Sequence, residues 1–356
     1  MKNFFKGKKI LITGHTGFKG AWLSQILLEF GAEVIGISLP PATEPSLFGV
    51  LGLEKRTRTH YQDIRDFSSL KKIFEKEKPE IVFHLAAQAL VRDSYDDPLT
   101  TFSSNVMGTA NVLQAIKEVG GVKAAVIITT DKVYANNELP NPYRETDPLG
   151  GYDPYSSSKA AADIVTSSYI KSFFNINDFG RKHNTLVAIA RAGNVIGGGD
   201  WANDRLVPDI VRSIYDRKEE IVLRNPKAVR PWQHVLDPLR GYMMLARELY
   251  EKNTAIVGAW NFGPYPNESI TVEELVKEAI KILETGSYRV EADTGKHEAG
   301  LLTLDINKAK AELKWEPLVT FTQSIKMTFD WYREYHEQRD KIVEFTNKQI
   351  RDYLKE

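Results

Sequence analysis

Along the first half of the chain, short apolar runs alternate with stretches whose apolar residues recur every three or four positions. Residues 10–13 form a partly β-branched run that ends in glycines, and 22–30 then carry apolar residues at helical spacing. That order predicts strand, tight turn, helix. The pattern recurs: strands are predicted at 33–39, 80–85, 124–129 and 185–190, and helices at 67–77, 105–119 and 155–174. Apolar strands alternating with helices predict an α/β fold, a doubly wound parallel sheet covered on both faces.

After Arg191 the character changes. Gly197-Gly198-Gly199 opens a loop-rich stretch containing Pro208, Pro226 and Pro231, and regular periodicity returns in a helix at 235–249, a strand at 259–263 and a helix at 271–284. The organisation predicted is a dinucleotide-type domain at 1–196 and 233–263, and a smaller mixed α/β substrate-binding lobe at 197–232 and 264–327. A helical tail follows at 328–356. Its polar content predicts a solvated helix rather than an oligomer contact.

The 356 residues carry 47 basic and 47 acidic side chains, so no whole-chain charge favours nucleic acid or a membrane surface, and an anionic ligand needs a local site. The absence of cysteine excludes disulfides, thiolate zinc sites and thiol catalysis. The basic start, the early break at Thr13-Gly14 and the lack of a membrane-length apolar run predict a cytoplasmic protein. Seven histidines are scattered without ligand spacing, so no metal is expected.

Gly14, Gly17 and Gly20 stand at the first strand-to-helix junction. A pyrophosphate there would require a tight turn, a close backbone approach and a helix N-terminus facing the anion. His15, Thr16 and Lys19 add donors around Phe18. Placement between strand and helix marks a Rossmann-type turn rather than plain loop chemistry. The second predicted strand ends Ser38-Leu39-Pro40, without the acidic residue that often holds an adenosine ribose and without an arginine for a 2′-phosphate. NAD and NADP therefore stay open on these residues. Asp63-Ile64 could flank the adenine, or Asp63 could cap the helix that follows.

Tyr155 and Lys159 lie four apart and so share one helix face. An ammonium near a phenol favours the phenolate and lowers its pKa from about 10, as a base for alcohol oxidation by a nicotinamide requires. With the glycine turn, with His84-Leu85-Ala86-Ala87 after a strand, and with Thr130-Asp131-Lys132 at the end of another, this pair resembles the extended short-chain dehydrogenase/reductase family from about residue 8 to 330. The resemblance implies a Rossmann domain, NAD, and cofactor contacts from the glycine turn, Asp63, Ile64, Leu85, Ala86, Ala87, Tyr155 and Lys159.

Within that family the Thr-Asp-Lys triplet is similar to the sugar-nucleotide dehydratase branch, with lysine where the hexose 4,6-dehydratases carry glutamate. The strings at 151–159, 191–202 and 230–238 narrow the likeness to this branch. The likeness implies that Tyr155 takes the C4 hydroxyl proton and Thr130 hydrogen-bonds the new carbonyl. Lys132, as neutral amine, would remove the C5 proton, and Asp131 would protonate the departing C6 hydroxyl. It further implies that Arg230 and Asn194 meet the diphosphate of a nucleotide sugar, and that the protein is a homodimer or homotetramer contacting through the helices of Tyr155 and Asn105.

Arg205 is a further diphosphate candidate, or else a surface ion pair with Asp204 or Asp209, while Arg92 and Ser94 would border the sugar. Trp201 and Trp232 could stack on the base, although core packing is the commoner fate of large aromatics. Two other functions share the motifs. A 4-epimerase would use Tyr155 and Lys159 without Asp131 and Lys132, and a non-catalytic NAD-binding protein would need none of the four.

Overall fold

The computed structural model describes residues 1–136, 141–265, 270–291 and 302–355. Parts of the expected second lobe, 266–269 and 292–301, lie outside these. Seven strands form the central sheet: β1 (Lys9–Thr13), β2 (Glu33–Ser38), β3 (Arg58–Tyr61), β4 (Ile81–His84), β5 (Ala124–Ile128), β6 (Leu186–Ala192) and β7 (Gly258–Phe262). All pair in parallel in the order β7-β6-β5-β4-β1-β2-β3. Strands β5 and β6 are buried at every position, which is why they read as continuous apolar runs rather than alternating ones.

Helices α1 (Phe18–Glu29), α2 (Phe67–Glu77), α3 (Gly108–Val119), α4 (Pro154–Ser172) and α5 (Leu236–Tyr250) cover the two faces of the sheet, and α6 (Val272–Leu283) follows β7. The chain reverses direction across the sheet between β1 and β4. A crevice therefore opens at the carboxyl ends of these strands, the ligand position of a doubly wound sheet. Helix α4 starts where it does because Pro154 occupies its first turn and Asp153 caps it, accepting from Ser156 N at 2.9 Å. That start sets Tyr155 in the first turn and Lys159 one turn further on.

The tail differs from the solvated helix that composition predicts. It folds as α7 (Phe321–Glu337) and α8 (Ile342–Leu354), in which Trp331, Tyr332, Ile342 and Ile350 are buried. Ile325, Phe329 and Tyr332 form one apolar stripe, and the polar residues that dominate the composition lie on the other face of the helix. Trp22 of α1 donates to the Gly198 carbonyl at 2.9 Å, and Tyr332 accepts from Asp200 N at 2.9 Å. The tail thus braces the loop that begins at Gly197. Among the described residues no helix is long and apolar enough to cross a membrane, and no group of His, Cys, Asp or Glu could hold a metal ion.

Candidate active site

At the tip of β1, Gly14 has φ 75°, and a Cβ there would lie 2.7 Å from the Ala86 nitrogen. Only glycine suits both the left-handed backbone and the close approach. Gly17 then caps α1 without any side-chain bond, so the first N–H groups of the helix are left to receive an anion. This cradle fits the pyrophosphate of a dinucleotide. Thr13 completes it from beneath: its hydroxyl accepts from Ala86 N at 3.2 Å and shares a 2.7 Å hydrogen bond with His84, whose other nitrogen meets Thr109 at 2.9 Å. Leu85, Ala86 and Ala87 follow, half-buried, after β4.

Two of the expected side-chain donors are turned elsewhere. The His15 ring is fully buried, edge-on to Phe48, with Nε2 3.1 Å from the Thr59 hydroxyl. The Thr16 hydroxyl donates to the Leu39 carbonyl at 2.9 Å and shares a 2.7 Å bond with Ser38. Thr16 fastens the turn to the end of β2 and His15 fastens it to β3, leaving their backbone groups for a ligand. Lys19 does reach the reaction end: burial, and then Arg205, hold its ammonium down to about 8, while Asp131 and Asp200 act in the opposite sense. Asp63 neither caps α2 nor stands open. Asp66 is the cap, and the Asp63 carboxylate accepts from Arg65 N, Nε and Nη2 at 2.8, 2.9 and 2.6 Å. Ile64 is buried against Gly108, and Phe18 opens α1 half-buried.

Thr130, Asp131 and Lys132 leave the end of β5 in a single 3₁₀ turn. Asp131 is only 3% exposed; its two oxygens accept from the Thr130 hydroxyl at 2.8 Å and from Asn194 Nδ2 at 3.1 Å. Lys132 is half-buried beside it. Tyr155 meets this turn: burial pushes its phenol up to about 12, against the lowering effects of a hydrogen bond with Thr130 and of the Arg205 charge. The lowered phenol expected from Lys159 is therefore not found. Lys159 Nζ donates to the Ile128 carbonyl at 2.9 Å, and burial with the neighbouring Lys19 charge brings it down to about 8. Desolvation is the largest influence at both groups.

The remaining candidates divide. Asn194, at φ 51°, is bonded to Asp131. Arg205 pairs with Asp200 at 2.9 Å, not with the expected acids, because Asp204 pairs with Arg92 at 3.0 Å and Asp209 with Arg212 at 2.6 Å. Ser94 is fully buried with its hydroxyl on the Val91 carbonyl at 2.6 Å. Arg230 lies in a two-residue strand opposite Ile270 and donates to the Val229 carbonyl at 3.1 Å. Trp201 packs on Trp331 and Trp232 on Phe321, both in the core.

Sequence reasoning missed the buried pair of Asp163 and Arg191, joined by two bonds of 2.8 and 2.9 Å. Its signal was present: Asp163 is one helical turn beyond Lys159, and Arg191 is a charge inside an otherwise apolar strand.

Residues 11–328 match the GDP-mannose 4,6 dehydratase family. The chain is 45% identical over 354 residues to the CDP-glucose 4,6-dehydratase of Salmonella typhimurium strain LT2, a match covering 99% of this chain and 98% of that one. It is 26% identical over 331 residues to the UDP-glucuronate 4-epimerase of Thermodesulfobacterium geofontis, covering 91% and 96%. Among solved structures it is similar to DesIV, the dTDP-glucose 4,6-dehydratase of Streptomyces venezuelae crystallised with NAD, at a TM-score of 0.78 and 25% identity, covering 94% and 99%.

Proposed function

The chain belongs to the GDP-mannose 4,6 dehydratase family, and from that premise we propose that it is an NAD-dependent lyase that removes water from CDP-glucose to give CDP-4-dehydro-6-deoxyglucose. The observation that carries this reading is the 45% identity across 99% of the chain to a CDP-glucose 4,6-dehydratase. The identity of the nucleotide rests on that relative.

Bound NAD supplies a hydride acceptor and donor, taking hydride from C4 of the sugar and returning it to C6. Tyr155 accepts the C4 hydroxyl proton in its phenolate form, which burial makes the minor form, and the Thr130 hydroxyl, which lies against both Tyr155 and Asp131, steadies the oxygen that becomes a carbonyl. The ketone acidifies C5. Lys132 removes that proton, and Asp131 gives one to the C6 hydroxyl, which departs as water. Lys132 then returns its proton to C5 as hydride arrives at C6, and the proton held by Tyr155 replaces the one Asp131 gave. The balance is the loss of one water. Arg230 is assigned to the diphosphate.

We further infer a homodimer. Leu99, Met107 and Ile164 are 81%, 56% and 56% exposed on the segment leading into α3 and on α4, large apolar side chains set on neighbouring elements.

The test is to incubate the protein separately with CDP-glucose, UDP-glucose, dTDP-glucose and GDP-mannose and weigh the products. Loss of one water from CDP-glucose alone is expected. An unchanged mass with inverted C4 would make it an epimerase, and inertness throughout would leave a non-catalytic NAD-binding protein. Lys132→Ala should still bind NAD and fail to eliminate; wild-type dehydration by that variant would refute the base assignment.

A further inference from the structure

Gln233 is 2% exposed, and its side-chain oxygen has no hydrogen-bond partner among the described residues. An unpartnered buried acceptor costs about 1–3 kcal/mol, so packing alone would be served better by leucine. The amide is there for its other end. Nε2 donates to two carbonyls, Gly193 at 3.1 Å and Phe262 at 2.9 Å. Turning the amide over would set its oxygen against both of those oxygens, so the orientation is fixed by the chemistry.

These two carbonyls stand where β6 and β7 end, Ala192 being paired with Phe262. The Gln233 side chain therefore ties the strand tips together where the ladder stops. Its backbone N–H donates to the Asn194 carbonyl at 3.1 Å, and Val195 pairs with Gln233 in parallel. One residue thus holds the Gly193-Asn194 turn through both its side chain and its main chain.

That turn forms one wall around Asp131. A Cβ on Gly193 would fall inside the Asp131 carboxylate. Asn194, in a left-handed conformation at φ 51°, aims Nδ2 at Asp131 Oδ2, and Thr130 holds Oδ1. Rotation of the Gly193 peptide would move the wall and the Asn194 donor together.

We infer that Gln233 is a positioning residue for the elimination step: it fixes the Gly193-Asn194 turn, and the turn fixes the carboxyl of Asp131 for delivery of a proton to the C6 hydroxyl. The inference rests on the dehydration proposed above. It predicts a selective defect. C4 oxidation depends on Tyr155, Thr130 and the cofactor, none of which Gln233 holds, whereas expulsion of water depends on where Asp131 points.

The experiment compares wild-type holoenzyme with Gln233→Leu and Gln233→Glu, which remove the Nε2 donors while keeping similar volume. CDP-glucose is mixed in, and both product formation and the near-ultraviolet absorbance of reduced nicotinamide are followed. The expected result in both variants is a kcat lowered about tenfold to a hundredfold, with KM within about twofold, because a displacement of about 1 Å suffices for such losses. Reduced nicotinamide should form at the wild-type rate and accumulate to a higher fraction, since its reoxidation waits on elimination. Should Gln233→Leu and Gln233→Glu fail to fold, Asn194→Ser, which withdraws the donor from Asp131, must show the same split. The inference is overturned if kcat is unchanged in Gln233→Leu, or if reduced nicotinamide formation falls in step with product formation. A wild-type enzyme that leaves CDP-glucose unaltered would instead refute the proposed reaction.

Discussion

Replacing Asp163 by leucine strands a guanidinium. Asp163 is fully buried and Arg191 is 3% exposed; their Nε–Oδ2 and Nη2–Oδ1 bonds measure 2.8 and 2.9 Å. In Asp163→Leu, Arg191 keeps, among the described residues, hydrogen bonds to the Tyr134 hydroxyl at 2.8 Å and the Glu145 carbonyl at 3.0 Å and a place over the Tyr134 ring, but no hydrogen-bonded carboxylate. Removing one partner of a buried, hydrogen-bonded ion pair costs about 3–5 kcal/mol, because the other charge stays desolvated. Replacing both members by apolar side chains is close to neutral by the same argument, so Asp163→Leu/Arg191→Met should fall within about 2 kcal/mol of wild type. Urea unfolding followed by tryptophan fluorescence measures Asp163→Leu, Arg191→Met and the double variant against wild type. The pair joins α4 to β6 one turn beyond Lys159, and the Asp163 charge favours the Lys159 ammonium. Asp163→Leu should therefore also lower the Lys159 pKa further below about 8, moving the alkaline arm of the pH–rate profile to lower pH. A loss under about 1 kcal/mol in Asp163→Leu, or a double variant as unstable as the two single losses summed, would refute the reasoning.

Burial holds three histidines far below their ordinary value: His15 at about 4, and His84 and His234 at about 3. Each is protonated in the unfolded chain below about pH 6.5 and stays neutral in the fold, so their contribution is complete above that pH and is lost as pH falls toward 4. Unfolding free energy should drop by about 4 kcal/mol per pH unit between about pH 6 and 4.5, and by a third less steeply in His234→Phe; an unchanged slope in that variant would exclude the origin given. Gly14→Ala forces a Cβ into the left-handed region 2.7 Å from Ala86 N, and should lose about 1–3 kcal/mol of stability together with NAD affinity, read by urea unfolding and NAD titration. Ile164→Glu sets a charge in the inferred dimer contact, and sedimentation velocity should then find monomers where the wild type sediments as a dimer.

Local rules carried much of this protein's reading. Strand periodicity, the glycine turn from Gly14 to Gly20 and the helix face shared by Tyr155 and Lys159 depend on residues a few positions apart, whose backbone sterics and spacing are visible in the chain itself. The partners of each polar side chain were decided by the tertiary structure. Asn194 meets Asp131 across 63 positions, and Tyr332 meets Asp200 across 132, because sheet register and tail docking bring those segments together. Arg205 has two acids nearer in sequence than Asp200, yet geometry gives it Asp200. Burial likewise set the charges: a lysine one helical turn from a tyrosine predicts a lowered phenol, and desolvation raised it instead. Spacing determines which residues share a face; only the packed interior determines which of them lose their water and to whom they bond.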